Sequence, residues 1–188
     1  MLVAIIIIAI IVVLIAVFIS RSNALVRLKN NVKNAWAQVD VQLKQRADLI
    51  PNLVNIVKGY ADFEKDTLTA VTNARANVLG LQGNPNATPE DKMKAEAKMT
   101  QAVSTFISTA EAYPELKANT NFQSLMTKLT DIEEKIGYAR MMYNDTVLNY
   151  NTKLETFPDS FIASFKHMQP ASYFNIDATD RAVPQVKF

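Results

Sequence analysis

The sequence contains no cysteine. That excludes disulfides, thiolate catalysis and thiolate metal ligands, and it leaves the compartment open, since disulfide-free proteins occur on both sides of a membrane. His167 is the single histidine. No second ligand lies near it in sequence, so it reads as a surface or tail-packing residue and no metal site is expected. The four glycines build no phosphate-cradling loop, Walker motif or nucleophile elbow. No Glu-x-x-His occurs, which removes the usual di-metal bundle pattern. No charged side chain precedes Arg21, and the rest of the chain nearly balances to a net charge of +2. A nucleic-acid binder would show a basic stripe instead. These absences predict a protein with no cofactor, no metal, no nucleic-acid partner and no enzymatic activity.

What the chain has is one long apolar run. Leu2–Ile19 is eighteen consecutive residues without a polar side chain. As a helix it covers about 27 Å, close to the hydrocarbon core of a bilayer, and within lipid the backbone must satisfy its own hydrogen bonds. Leu2, Ile6, Ile10, Leu14 and Phe18 are the expected membrane-spanning positions. A cleaved signal peptide is the competing reading. Met1 is followed directly by Leu, with no basic n-region, and Ser20–Arg21–Ser22 is a weak match to a cleavage site; an uncleaved anchor is favoured. Arg21, Arg27, Lys29 and Lys33 follow the run closely while its N-terminal side carries no Lys or Arg. The positive-inside rule then places the N-terminus outside and the body in the cytoplasm.

The remainder reads as helices. Leu25, Leu28, Val32, Ala35, Trp36, Val39, Leu43 and Ile50 recur at steps of mostly three and four, one stripe of an amphipathic helix that continues from the anchor without Gly or Pro. Pro51 either opens a new helix capped by Asp48 or kinks a continuing one. A second helical segment runs to Gly80, followed by a loop over Gly80–Thr88. Thr88–Pro89–Glu90–Asp91 opens a third helix, with Thr as N-cap, Pro at the first position and acids in the first turn. A fourth helix repeats from Phe122 to Leu154, and Pro158 ends it. Ser160–His167 is a short helical candidate, and 183–188 reads as extended.

Few residues stand out as candidates for packing or partner contact. Trp36 is the single tryptophan, better explained as a bulky residue on its stripe than as a ligand contact. Arg75 and Arg140 each sit beside a stripe position. The favoured reading is a surface arginine whose stem covers apolar area; the alternative is an interhelical pair with Asp40, Asp48 or Glu64. Asp131, Glu133 and Glu134 are expected to face solvent. Tyr173, Phe174 and Phe188 give the C-terminal tail an aromatic character suited to packing on the bundle or on a neighbouring subunit.

The run from Asn34 to Tyr60, NAWAQVDVQLKQRADLIPNLVNIVKGY, resembles the signature of the LemA family. Asn73–Ala74–Arg75, Tyr113–Pro114–Glu115–Leu116–Lys117–Ala118–Asn119, Tyr138–Ala139–Arg140 with Tyr143–Asn144, Tyr150–Asn151 to Phe157–Pro158, and Pro184–Gln185–Val186–Lys187–Phe188 extend the resemblance over essentially the whole chain. It implies a bacterial protein with one N-terminal membrane helix and an antiparallel helical bundle. It brings no catalytic residues with it.

The expectation is therefore an all-α chain: a transmembrane anchor over 1–21, a bundle of three or four helices over 22–158, and a tail over 159–188. The expected function is that of a single-pass membrane scaffold or assembly protein, acting through self-association as a homo-oligomer or through a protein partner. A membrane-tethered adaptor in signalling or quality control is the alternative, with an enzyme of dispersed site behind it.

Overall fold

The computed structural model describes residues 1–60 and 63–174. It is all-α: α1 spans Leu2–Val57, α2 Lys65–Gln82, α3 Pro89–Glu111, α4 Pro114–Ala118, α5 Thr120–Glu155 and α6 Asp159–Phe165. No strand occurs among the described residues. Pro51 lies inside α1, so the chain continues as a helix through it; Asp48 accordingly caps nothing and pairs with Lys44 one turn back at 2.8 Å.

Local chemistry explains the helix starts. Thr88 accepts from the Asp91 backbone N–H while the Asp91 carboxylate accepts from the Thr88 N–H, a capping box with Pro89 in the first turn. The Asn119 side chain accepts from the backbone N–H groups of Asn121 and Phe122 and so opens α5. Along α5, Phe122, Leu129, Ile132, Ile136, Tyr143, Val147 and Tyr150 are buried at steps of three, four and seven, the stripe that the sequence predicts.

The chain forms two compact units. One comprises Met1–Ala37 and Met141–Tyr173. There α5 runs antiparallel to α1: Trp36 meets Tyr143 edge-on at 5.2 Å, and farther toward the N-terminus Leu25 packs with Leu154, Ile162, Ala163 and Met168. The second unit comprises Gln38–Arg140 with Phe174. Its core joins Ile50, Leu53 and Val57 of α1, Val71 and Val78 of α2, Met99, Val103 and Phe106 of α3, and Phe122 and Leu129 of α5. In it α2 descends α1, since Arg75 reaches Ala47 and Gln82 reaches Asp40. By contrast α3 runs in the sense of α1, with Lys92 at Asp40 and Glu96 at Arg46.

Candidate functional site

The most heavily charged place in the second unit is inside it. Arg46 and Glu96 are completely buried and bonded to each other through Arg46 Nη2 and Glu96 Oε1. Arg46 Nη1 also donates to Thr100 Oγ1 at 3.2 Å and to Glu133 Oε1 at 3.0 Å. Arg140 Nη2 donates to Glu96 Oε1 at 3.0 Å, and its guanidinium lies over the Phe174 ring, 4.5 Å from the centroid. Three helices thus meet through two arginines and two glutamates whose charges cancel. Arg46 Nε, Glu96 Oε2 and Arg140 Nε make no hydrogen bond. Burial pushes the Glu96 carboxyl above its ordinary range; Arg46 and then Arg140 oppose that, and Glu133 adds to it. Burial likewise pulls the Arg140 guanidinium down, against the attraction of Glu96. The cluster can hold the three helices in register.

The sequence candidates fall around this cluster in different ways. Arg140 belongs to it, and Phe174 is buried beneath Arg140. Arg75 neither lies free on the surface nor pairs with Asp40, Asp48 or Glu64: its Nε donates to the backbone carbonyl of Ala47 at 2.8 Å. Arg140 is likewise engaged, with Glu96 as its carboxylate. Asp40 pairs with Lys92 at 3.4 Å. Trp36 is half-buried against Tyr143, and Tyr173 is partly exposed. Asp131 and Glu134 face solvent, whereas Glu133 turns toward Arg46. Phe188 lies outside the described residues, as does the expected tail from 175 onward. Leu2, Ile6, Ile10 and Leu14 are all exposed on α1, and Phe18 is half-buried.

Arg46, Glu96 and Thr100 do not figure among the sequence candidates. Their signal is a gap. Arg46 fills the step of seven between Leu43 and Ile50, and Glu96 fills the interval between Met93 and Met99. A stripe position occupied by a charge is a buried charge awaiting a partner.

A second arrangement lies in the first unit. The segment after α6 is strapped to α5 by side chains acting on its backbone. Tyr143 Oη donates to the Ser172 carbonyl at 2.9 Å, and Tyr150 Oη to the Gln169 carbonyl at 3.0 Å. Asn151 donates to the Ala171 carbonyl and accepts from the Ala171 N–H, both at 2.9 Å. Such a side chain behaves as the edge of a strand and needs no particular residue in the segment it holds. An open groove in the second unit is lined by Asn73, Asn77, Lys98, Gln101 and Thr105 among others; Lys98 is its one ionisable group.

The LemA family model matches residues 35–188. This chain belongs to the LemA family. A relative named Protein LemA, from Metamycoplasma hominis, is 24% identical over 165 residues, covering 88% of this chain and 74% of that protein. Magnetosome protein MamQ 2 of Paramagnetospirillum magneticum is 22% identical over 181 residues, covering 85% of this chain and 66% of the relative. Magnetosome protein MamQ of Magnetospirillum gryphiswaldense is 21% identical over 182 residues, covering 86% and 67%. This chain therefore spans about two thirds of the MamQ proteins it matches. The LemA family match includes Arg46, Arg75, Glu96, Arg140, Tyr150 and Asn151.

Proposed function

We propose that this LemA family member is a non-enzymatic scaffold anchored in a membrane by the N-terminal part of α1. Its N-terminus lies outside, its helical body lies in the cytoplasm, and it acts by self-association or partner contact at the membrane surface. One observation carries the reading: the apolar stretch of α1, long enough to cross a membrane, is 0% buried in the chain. Apolar area of this size is stable only when removed from water. At roughly −0.3 to −0.6 kcal/mol for each central Ile, Val or Leu, insertion is favourable by several kcal/mol.

Self-association has its own support. Ile and Val dominate the anchor, so copies can pack side by side, without the close approach that a Gly-xxx-Gly pair would permit. In the first unit Met141 and Leu148 are exposed at 52% and 54% and, seven residues apart, share one face of α5, with Met142 beside them. Methionine-rich faces adapt readily to a partner surface. The proposal that the chain is not an enzyme draws on the self-contained charge cluster and the single ionisable group in the α2–α3 groove.

The test is light scattering coupled to size exclusion in a mild detergent. Oligomers that persist on dilution are expected. A monomer at every concentration defeats self-association and leaves partner contact as the mode of action.

A further inference from the structure

The short helix α6 presents two unlike faces. Ile162 and Ala163 are buried against Leu25. The opposite side carries Phe161 and Phe165, 70% and 69% exposed, and Phe157, 87% exposed, stands in the turn that precedes the helix. Phe161 and Phe165, one turn apart on α6, form an apolar surface that water does not favour, with Phe157 exposed just ahead of the helix.

Two relationships fix where this patch lies. The Phe165 ring meets the Phe18 ring edge-on, 5.9 Å between centroids and 81° between planes, and Phe18 belongs to the apolar run of α1. The aromatic face of α6 is thus continuous with the apolar surface of the anchor. Polar contacts then hold α6 beside the point where that run ends. Arg21 and Lys153 reach Asp159 at 3.8 and 3.5 Å, and Lys166 Nζ donates to Ser22 Oγ at 2.6 Å. Aromatics on one side and cations at the edge form the pattern of an interfacial segment, which buries its apolar face at the acyl boundary and leaves its charges among headgroups.

We propose that Phe157, Phe161 and Phe165 dip into the bilayer interface beside the foot of α1, so that this patch is a lipid-binding surface. The inference rests on the anchor reading given above, because a bilayer that holds α1 as far as Ile19 meets Phe18 and with it Phe165.

The chain has no cysteine, so single cysteines can carry an environment-sensitive fluorophore on the full-length protein. Three sites are labelled: Ser164→Cys beside the aromatic patch, Ile10→Cys within the anchor, and Lys128→Cys on the exposed side of α5. The protein is reconstituted in phosphatidylcholine–phosphatidylglycerol vesicles with nitroxide-labelled lipid. Expected are quenching at 164 by shallow nitroxides, quenching at 10 by deep ones, and none at 128. Adding Phe157→Ser and Phe161→Ser should reduce quenching at 164 to the level at 128. Quenching at 10 without quenching at 164 overturns the inference and leaves the anchor standing. No quenching at either site removes both. A site at 164 shielded from water yet unquenched by lipid points to a second copy of the chain on this face and overturns the lipid assignment. Undiminished quenching in the serine variant also overturns it.

Discussion

Arg75 donates to the carbonyl of Ala47, the oxygen that stands four residues before Pro51. In an uninterrupted helix that carbonyl would accept from the backbone N–H of residue 51, and proline has none. The side chain from α2 replaces the missing donor, which is how α1 tolerates a proline in its interior. Arg75→Leu should cost about 1–3 kcal/mol, as expected for a buried acceptor left without a partner. Introduced into a Pro51→Ala background, where the backbone N–H is restored, the same change should cost far less. Denaturant unfolding of the four proteins in detergent measures the coupling; strictly additive costs would remove this role from Arg75.

Arg46 offers a harsher test. Arg46→Leu leaves Glu96 buried with Arg140 as its remaining cation, and removal of one member of a buried ion pair costs about 3–5 kcal/mol. The double variant Arg46→Leu with Glu96→Leu should be less destabilised than the sum of its single changes. Equal or greater loss in the double variant would show that the two charges do not act as a pair.

Glu96 also predicts a pH dependence. Its carboxyl is pushed up from the ordinary 4.5, so the folded state holds the proton more tightly than the unfolded chain. The contribution of Glu96 is fully present below that ordinary value and is lost as pH rises through the folded value. Compared with Glu96→Gln, the wild-type chain should therefore lose ground as pH rises, in paired thermal melts begun below pH 4.5. A difference independent of pH would contradict the raised carboxyl.

The strap on α5 predicts a local effect. Asn151→Ala removes two hydrogen bonds to Ala171 and should cost about 1–3 kcal/mol, while Tyr150→Phe, which removes one, should cost about 1 kcal/mol. Amide hydrogen exchange at residues 169–173 should rise in both variants, more in the first. Exchange that rises equally across α2 and α3 would mean that the segment is not held independently.

Much of this architecture is legible in the sequence, because it depends on near neighbours. Thr88 and Asp91 form their box within three residues, and the α5 stripe is a matter of period. Pro51 is ambiguous for the same reason: whether a helix survives it depends on a donor 24 residues later, in Arg75. Arg46 and Glu96 escape a reading based on apolar periodicity because they occupy stripe positions with the wrong chemistry. Only the meeting of α1, α3 and α5 supplies their partners. Glu133 looks outward beside its acidic neighbours for the same reason, until Arg46 arrives across the core. Phe161 and Phe165 read as apolar in either setting; which side of α6 turns inward is decided by Leu25.

The zero sum of the buried charges restricts how this protein can drift. Most core positions admit a replacement of similar volume one at a time. Here a neutral residue in place of Arg46 leaves Glu96 with Arg140 alone, and a neutral residue in place of Glu96 leaves Arg140 without its carboxylate and Arg46 with Glu133 alone, so each lone change unbalances charge in the core. Substitution at these sites has to be concerted, with sign and partner changing together. In relatives as distant as 21% identity, the cluster should therefore be found either whole or wholly replaced.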